Sequence, residues 1–316
     1  MPVIWMMLAA LISTSCRQES GSIVFVNSYH PGYPPSDEVY RGIREGLPAG
    51  KYDLQVFYLD SKRRISEKFL ESKADSAFQL INRVQPDAVI VSDDNAVKYL
   101  VEPYLNDTDI PVVFCGVNWS AEQYQLDRSH VTGMLEVLPL RDCIQLLKEE
   151  FNDPATLTVL SENSLSEKNN TLLLDTLYRN MGLEPVYVLV DTFEEWKNGF
   201  RQANETSDAI YLPTNGAISG WERQEAIRFV EEHIRKPVFT CDDFMMDYCL
   251  FGLTKVPREQ GEWAAETVRK ILLGTSLMEI PLTHNQQTKA YYNVTLGEIT
   301  GLMQTSEWAG KAEKVH

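Results

Sequence analysis

Acidic side chains follow several short apolar runs of the chain, in positions where they could bind the charged group of a small ligand. Asp242 and Asp243 come shortly after Val238-Phe239-Thr240, and Asp93 comes shortly after Val89-Ile90-Val91. A carboxylate in such a place could hold an ammonium group through a charge-assisted hydrogen bond. This reading predicts a cationic or zwitterionic ligand, such as an amino acid or a small amine. The alternative is a solvated turn or a helix cap, because an acidic protein carries acids everywhere.

Hydroxyl and amide side chains stand in the same kind of position. Ser92 and Asn95 flank Asp93 and could face a ligand or simply cap the next helix. Ser164 and Ser166 precede a predicted helix, whose N-terminal amides could hold a carboxylate. Capping of the helix alone is the alternative for both serines.

A loop rich in proline and aromatic residues closes the first apolar run. The stretch reads SIVFVNSYHPGYPPSD over residues 22–37, and its prolines stiffen the turn. Tyr29, His30 and Tyr33 would supply flat aromatic walls with polar tips, which suit a small organic ligand. Ser36 is predicted to cap the helix that follows. The alternative is an ordinary proline-rich connection.

The elements that would position these residues alternate between strand, polar loop and helix. Apolar runs at residues 23–26, 88–91, 156–160 and 209–212 are typical of strands buried on both faces. Parallel sheets bind ligands outside the carboxyl ends of their strands, where the polar loops lie. Two successive series of similar size predict an α/β fold with two doubly wound parallel-sheet lobes facing one another.

Composition and charge exclude several classes of function. The chain has 316 residues, 44% of them apolar, which is enough for two medium domains. Its formal net charge of −16 argues against binding nucleic acid or an anionic membrane surface. We therefore expect any membrane attachment to come only from a lipid anchor.

Motifs of catalysis and of metal binding are missing from the sequence. It has no G-x-x-x-x-G-K loop, no G-x-G-x-x-G after a strand, no H-E-x-x-H and no G-x-S-x-G. Its cysteines form no Cys-x-x-Cys pair, so we expect neither a metal nor a cofactor. Four of them, Cys115, Cys143, Cys241 and Cys249, could form disulfides after export, but buried thiols are the preferred interpretation.

The first residues are typical of an export signal. An apolar core over residues 3–12 is too short to span a bilayer and ends in small residues before Cys16. This arrangement resembles the lipobox of bacterial lipoproteins, in which the Cys is acylated. We therefore predict a signal over residues 1–16, a lipid on Cys16, and a stand-alone lipoprotein in the cell envelope that faces the periplasm or the cell exterior. A plain cleaved signal is the alternative.

Longer stretches of the chain resemble a known family. They are Pro111-Val112-Val113-Phe114, Val131-Thr132-Gly133, Asp208-Ala209-Ile210-Tyr211-Leu212-Pro213-Thr214-Asn215, Pro237-Val238-Phe239, Glu259-Gln260-Gly261-Glu262-Trp263-Ala264-Ala265, Ile271-Leu272-Leu273-Gly274 and Tyr292-Asn293. In this order they resemble the bacterial ABC-transporter substrate-binding family of the type I periplasmic-binding-protein fold. The opening loop is similar to a branch also found as histidine-kinase sensor domains, which usually has Trp where this chain has Pro35.

The resemblance implies a specific organisation. Three crossing segments would join a first lobe of residues 22–134 and 257–280 to a second of residues 135–256 and 281–305, with 306–316 as a tail. A monomer would close by hinge motion on a ligand, and Thr214 and Asn215 match positions that the family uses for binding. No catalysis is implied. The expected partner is an ABC permease to which the ligand is delivered, and the alternative partner is a separate membrane sensor kinase. The remote alternative for the function is an enzyme of unknown activity.

Overall fold

The structure is a computed structural model that describes residues 20–316, so the predicted signal and Cys16 lie outside the described residues. Its elements begin with β1 (Gly21–Asn27), α1 (Pro34–Gly46), β2 (Tyr52–Tyr58), α2 (Glu67–Val84), β3 (Ala88–Ser92), α3 (Asp93–Ala96), β4 (Val112–Asn118), β5 (Val131–Glu136), α4 (Leu140–Glu150), β6 (Thr156–Glu162), α5 (Leu165–Asn180), β7 (Glu184–Val190) and α6 (Phe193–Thr206). They continue with β8 (Ala209–Tyr211), α7 (Arg223–His233), β9 (Val238–Thr240), β10 (Phe251–Lys255), α8 (Pro257–Leu272), β11 (Thr283–His284), β12 (Thr288–Asn293), α9 (Val294–Thr300), α10 (Glu307–Lys311) and β13 (Glu313–Val315). Helix α3 runs on into a π-helical segment, Val97–Leu105.

The first lobe is built on a six-stranded parallel sheet in the order β11-β5-β4-β3-β1-β2. Strand β1 shows why its residues form a strand covered on both faces. Ile23 and Phe25 pack into the core beneath α1 and α8, whereas Val24 and Val26 pack into the core beneath α2. Successive side chains of a strand point to opposite faces, so an unbroken apolar run fills both cores.

Helices α1 and α8 cross at close range, although most of the second lobe lies between them in the chain. A Cβ added to Gly42 would overlap backbone atoms of α8, and one added to Gly261 would overlap the backbone of Val39 in α1. Only glycine permits backbones to approach this closely. The pair of glycines therefore fixes α8 against the first lobe.

The second lobe is built on a seven-stranded sheet in the order β13-β12-β10-β9-β8-β6-β7. All neighbouring strands are parallel except β10 and β12, which are antiparallel. Helix α6 begins with a capping box between Thr192 and Glu195. It packs the fully buried Trp196 and Phe200 into the core of this lobe.

The chain passes between the two sheets three times, after β5, after β10 and after β11. The fold prediction of two α/β lobes is confirmed. Two details differ from the lobe boundaries drawn from sequence. Strand β11, expected in the second lobe, pairs with β5 in the first sheet, and β13 extends the second sheet where a tail was expected. Both strands are only two or three residues long and largely polar, so periodicity carries no signal for them.

The start of α1 differs from the sequence prediction. The helix begins at Pro34 with Tyr33 as the N-cap residue, and Ser36 lies inside its first turn. Proline suits this place because its missing N–H would have no helical partner there. The hydroxyl of Ser36 instead donates to Asn27 Oδ1 at 2.8 Å, which ties α1 to the end of β1.

Three further observations concern predictions made above. Within residues 20–316, no helix combines the length and the apolar character needed to cross a membrane. The same residues contain no group of three or more His, Cys, Asp or Glu side chains placed to hold a metal ion. Cys115, Cys143, Cys241 and Cys249 are buried free thiols, which confirms the preferred interpretation.

Candidate functional site

The candidate site is a cavity of about 60 Å³ between the lobes, outside the carboxyl ends of strands from both sheets. One water molecule needs roughly 10–15 Å³ by the same measure, so the cavity has room for several waters or a small ligand. Of the residues predicted from sequence, those that line the cavity are Tyr29, Tyr33, Ser92, Asp93, Ser166, Thr214 and Asp242. Pro35, where the related branch usually has Trp, also lines it.

Two tyrosines from the loop after β1 form the aromatic wall. The rings of Tyr29 and Tyr33 meet edge to face with centroids 5.0 Å apart. The ammonium group of Lys62 lies 4.8 Å from the Tyr29 centroid and 5.4 Å from the Tyr33 centroid, which is within the range of cation–π attraction. Burial raises the pKa of both phenols, so both hydroxyls stay protonated and can donate.

Side chains of the two lobes bond to one another across the cavity. The Tyr33 hydroxyl lies 3.0 Å from Thr214 Oγ1, and the Tyr29 hydroxyl lies 3.4 Å from Ser166 Oγ. Lys62 of the first lobe forms an ion pair with Glu162 at the end of β6, and both side chains are almost completely buried. Burial acts to lower the pKa of Lys62, but Glu162 raises it above its usual range, so the lysine is charged. The lobes are therefore closed in this structure.

Asp93 is the carboxylate at the end of β3, and its backbone has a positive φ of 71°. Its oxygens accept hydrogen bonds from the Tyr29 hydroxyl, from Ser166 Oγ at 3.4 Å and from the N–H of Asp94 at 2.8 Å. Burial, followed by the neighbouring Asp94, raises the pKa of Asp93 to about 7. All three donors are neutral, and Lys62, which favours the charged form of Asp93, forms its own ion pair with Glu162.

A second cluster of charges lies where the chain crosses between the lobes. Lys255, the last residue of β10, forms ion pairs with Glu136, the last residue of β5, and with Asp242 at 3.1 Å. Burial raises the pKa of Asp242 to about 6, and Lys255 opposes that shift. The carboxylate predicted to hold a ligand's ammonium group thus contacts an ammonium group of the chain itself.

Helix α5 of the second lobe contributes a third buried carboxylate. Glu167 accepts hydrogen bonds from Ser161 Oγ at 2.8 Å and from Asn170 Nδ2 at 2.9 Å. Burial, with Glu162 as the next cause, raises the pKa of Glu167 to about 7. Its direct partners, like those of Asp93, are neutral.

Five predicted site residues lie outside the lining of this cavity. His30 faces Asp60 with its Nδ1 atom 3.7 Å from the carboxylate, and Asn95 donates to Ser61 Oγ. Ser164 is the N-cap of α5, where its hydroxyl accepts from the N–H of Glu167. Asn215 accepts from Ile218 N through its backbone, and Asp243 is exposed as the first residue of a 3-10 turn. For Ser164, the capping alternative describes what the structure shows.

Several lining residues were not predicted from sequence. They include Lys62, Glu136, Glu167, Asn170, Lys255 and Gln260. Glu136 and Lys255 end strands that lead into crossings, so the rule that placed Asp93 at a strand end could have found them. Lys62 belongs to the basic run Lys62-Arg63-Arg64, which reads as a solvated surface. Only the closure of the lobes reveals its place in the site.

Two sheets that face one another across such a cavity define a two-lobed binding protein with the type I periplasmic-binding-protein fold. The family model described as ABC transporter substrate binding protein matches residues 23–315. The chain therefore belongs to the ABC transporter substrate-binding protein family. No curated protein sequence matches it.

Solved structures support the same fold at low sequence identity. The chain is similar to an ABC domain from Streptococcus pneumonia in complex with L-Trp, with 16% identity, a TM-score of 0.72, and coverage of 93% of this chain and 100% of that one. It is also similar to a conserved domain protein from Vibrio cholerae, with 16% identity, a TM-score of 0.74, and coverage of 94% and 100%. A ligand-free, open substrate-binding protein with adhesive properties from Clostridium difficile matches with 16% identity, a TM-score of 0.65, and coverage of 93% and 99%.

Proposed function

We propose that this protein captures a small organic ligand with an ammonium group between its lobes outside the cytoplasm and delivers it to an ABC transporter. The observation that carries the proposal is a buried cavity lined by both lobes, in which the carboxylate of Asp93 bonds only to neutral donors. A cationic group placed there would supply the missing partner.

The aromatic wall supports the same proposal. The rings of Tyr29 and Tyr33 give the ligand apolar surface, while Ser92, Asp93 and Thr214 offer polar atoms beside it. Sites for small molecules are typically apolar with a few well-placed polar groups. Closure is stabilised by whatever contacts the ligand adds in the closed state over the open one. Residues from both lobes, such as Tyr29 and Thr214, would contribute these contacts.

A thermal-shift screen tests the proposal. Amino acids, amines, nucleosides and short peptides are added separately, and a ligand that binds only the folded state raises the melting temperature by mass action. Amino acids belong in the screen because one similar structure holds L-Trp. Each hit is then recovered and analysed chemically. Recovery of an altered compound would contradict the proposal and favour the remote alternative of an enzyme.

The partner and the anchor need separate tests. Delivery to a permease is the proposal, and reporting to a separate membrane sensor kinase is the second candidate, because the opening loop resembles that of sensor domains. A permease and an ATPase encoded beside this gene would favour transport, whereas a kinase gene would favour sensing. For the anchor, Cys16→Ser should release the protein from membranes, and unchanged membrane association would contradict lipid attachment.

A further inference from the structure

Both lysines that line the cavity already bind carboxylates of the chain. Lys62 is paired with Glu162, and Lys255 is paired with Glu136 and Asp242. Removing a lysine from such a pair would leave a buried carboxylate without compensation, which is strongly unfavourable. The charge of each lysine is therefore already balanced by a carboxylate of the chain.

The remaining charges of the lining are negative. Asp93 accepts bonds from a tyrosine, a serine and a backbone N–H, and Glu167 accepts bonds from a serine and an asparagine. A carboxylate brought into this cavity would meet these like charges without a free cation to balance them. A cationic group of a ligand would instead meet charges of opposite sign.

Two amide groups add hydrogen-bond acceptors that have no donor. Asn170 Oδ1 in the second lobe and Gln260 Oε1 in the first are buried, and neither accepts a hydrogen bond in the structure. Their orientation is set by their other ends, because Asn170 Nδ2 donates to Glu167 and Gln260 Nε2 donates to Glu136. Turning either amide would bring its oxygen against a carboxylate. A buried acceptor without a donor is costly, so a donor that reached either oxygen would be stabilising.

We propose that the ligand is an organic amine without a carboxylate group, held by Asp93 and Glu167 and donating N–H groups to the oxygens of Asn170 and Gln260. This inference rests on the proposed function and narrows it from amino acids or amines to amines alone. The two amide oxygens belong to opposite lobes, so an amine with several donors would also bridge the lobes.

Matched pairs of ligands test the inference by calorimetric titration of the full chain at pH 8. The pairs are tryptamine with L-tryptophan, tyramine with L-tyrosine, cadaverine with L-lysine, and putrescine with L-ornithine. In the pair that binds most tightly, we expect the amine to bind at least ten-fold more tightly than the amino acid. An amino acid that binds as tightly as its amine overturns the inference but leaves solute binding intact.

Variants show whether the carboxylates cause the preference. Asp93→Asn should weaken binding of the best amine by roughly ten-fold or more, the effect expected for losing one charge-assisted bond. Glu167→Gln serves as a second variant if the first fails to fold. Asp53→Asn, at an exposed position of β2, is the matched control and should bind like the wild type. Unchanged affinity in both cavity variants overturns the inference.

The remaining outcomes separate this inference from the proposed function. Binding of neutral or acidic compounds in the broader thermal-shift screen, with no amine bound, overturns the amine inference while solute binding stands. A screen in which no compound binds contradicts both.

Discussion

Asp93 and Asp94 are neighbours in the chain with different surroundings. Asp94 is completely buried and accepts hydrogen bonds from Asn118 Nδ2 at 2.6 Å and from the Tyr124 hydroxyl at 2.7 Å. Asp93 faces the cavity, where its charge is opposed by burial, by Asp94 and by Glu136, and is favoured by Lys62 and the Tyr29 hydroxyl. The balance raises the pKa of Asp93 to about 7. A carboxylate that is kept for binding rather than for stability would have such surroundings.

This difference predicts how stability depends on pH. Because the pKa of Asp93 is higher in the folded state, the folded protein holds this proton more tightly than the unfolded chain does. The contribution of this proton to the free energy of unfolding is fully present below about pH 4 and is lost as the pH rises to about 7. Asp93→Asn should therefore match the ligand-free wild type near pH 4 and melt at a higher temperature than the wild type at pH 8. Thermal melts across that range check it, with Asp53→Asn as a control that should follow the wild type.

The ion cluster around Lys255 predicts a marked asymmetry between two substitutions. Lys255→Met leaves Glu136 and Asp242 buried without a cation and should destabilise the protein by about 3–5 kcal/mol. Asp242→Asn should cost much less, because Glu136 continues to balance the lysine. Urea denaturation of the two variants measures the difference. Equal losses of unfolding free energy in the two variants would mean that the two carboxylates do not share the lysine.

At the scale of elements, the crossing of α1 and α8 depends on glycine. A Cβ on residue 261 would overlap backbone atoms of α1, which cannot move aside as a flexible side chain could. Gly261→Ala should therefore destabilise the protein by about 1–3 kcal/mol or more in urea denaturation. Gly310→Ala is the matched control, because it is also helical and its Cβ would meet nothing within 4 Å. Alanine is the better helix former, so that variant should be neutral or slightly more stable.

The elements were largely predictable from sequence because their signals are local. Apolar runs and helical spacing fixed the alternation of strands and helices, and the rule for parallel sheets placed Tyr29, Asp93, Thr214 and Asp242 at the cavity. The unpredicted residues depend on contacts made far apart in the chain. Lys62, for example, enters the site only because Glu162, a hundred residues away, closes onto it.

At the scale of the whole molecule, the buried pair of Lys62 and Glu162 joins the lobes and should control their closure. Glu162→Gln keeps an acceptor for the N–H of Ala217 but removes the charge that balances Lys62. Burying an unbalanced lysine is unfavourable, so the variant should favour an open form in which Lys62 is hydrated. Small-angle X-ray scattering should then report a larger radius of gyration than for the wild type. Glu184→Gln is the control, since it removes an exposed surface pair with Arg179 that is worth little. An unchanged radius in Glu162→Gln would show that this pair does not hold the lobes together.

The order of strands in the two sheets places the parts of the site at very different distances from the crossings between the lobes. Glu136 and Lys255 end the strands β5 and β10, from which the chain crosses, so they lie beside the axis of any opening. Lys62 follows β2, four strands from β5, and Glu162 ends β6, three strands from β10, or about 19 Å and about 14 Å at the usual strand spacing. A ligand that enters an open form would thus first meet Glu136 and Lys255, which are already in place. The ion pair between Lys62 and Glu162 would form last. In stopped-flow experiments, substitutions of Gln260, which donates to Glu136, should slow association of the ligand. Glu162→Gln should mainly speed its dissociation.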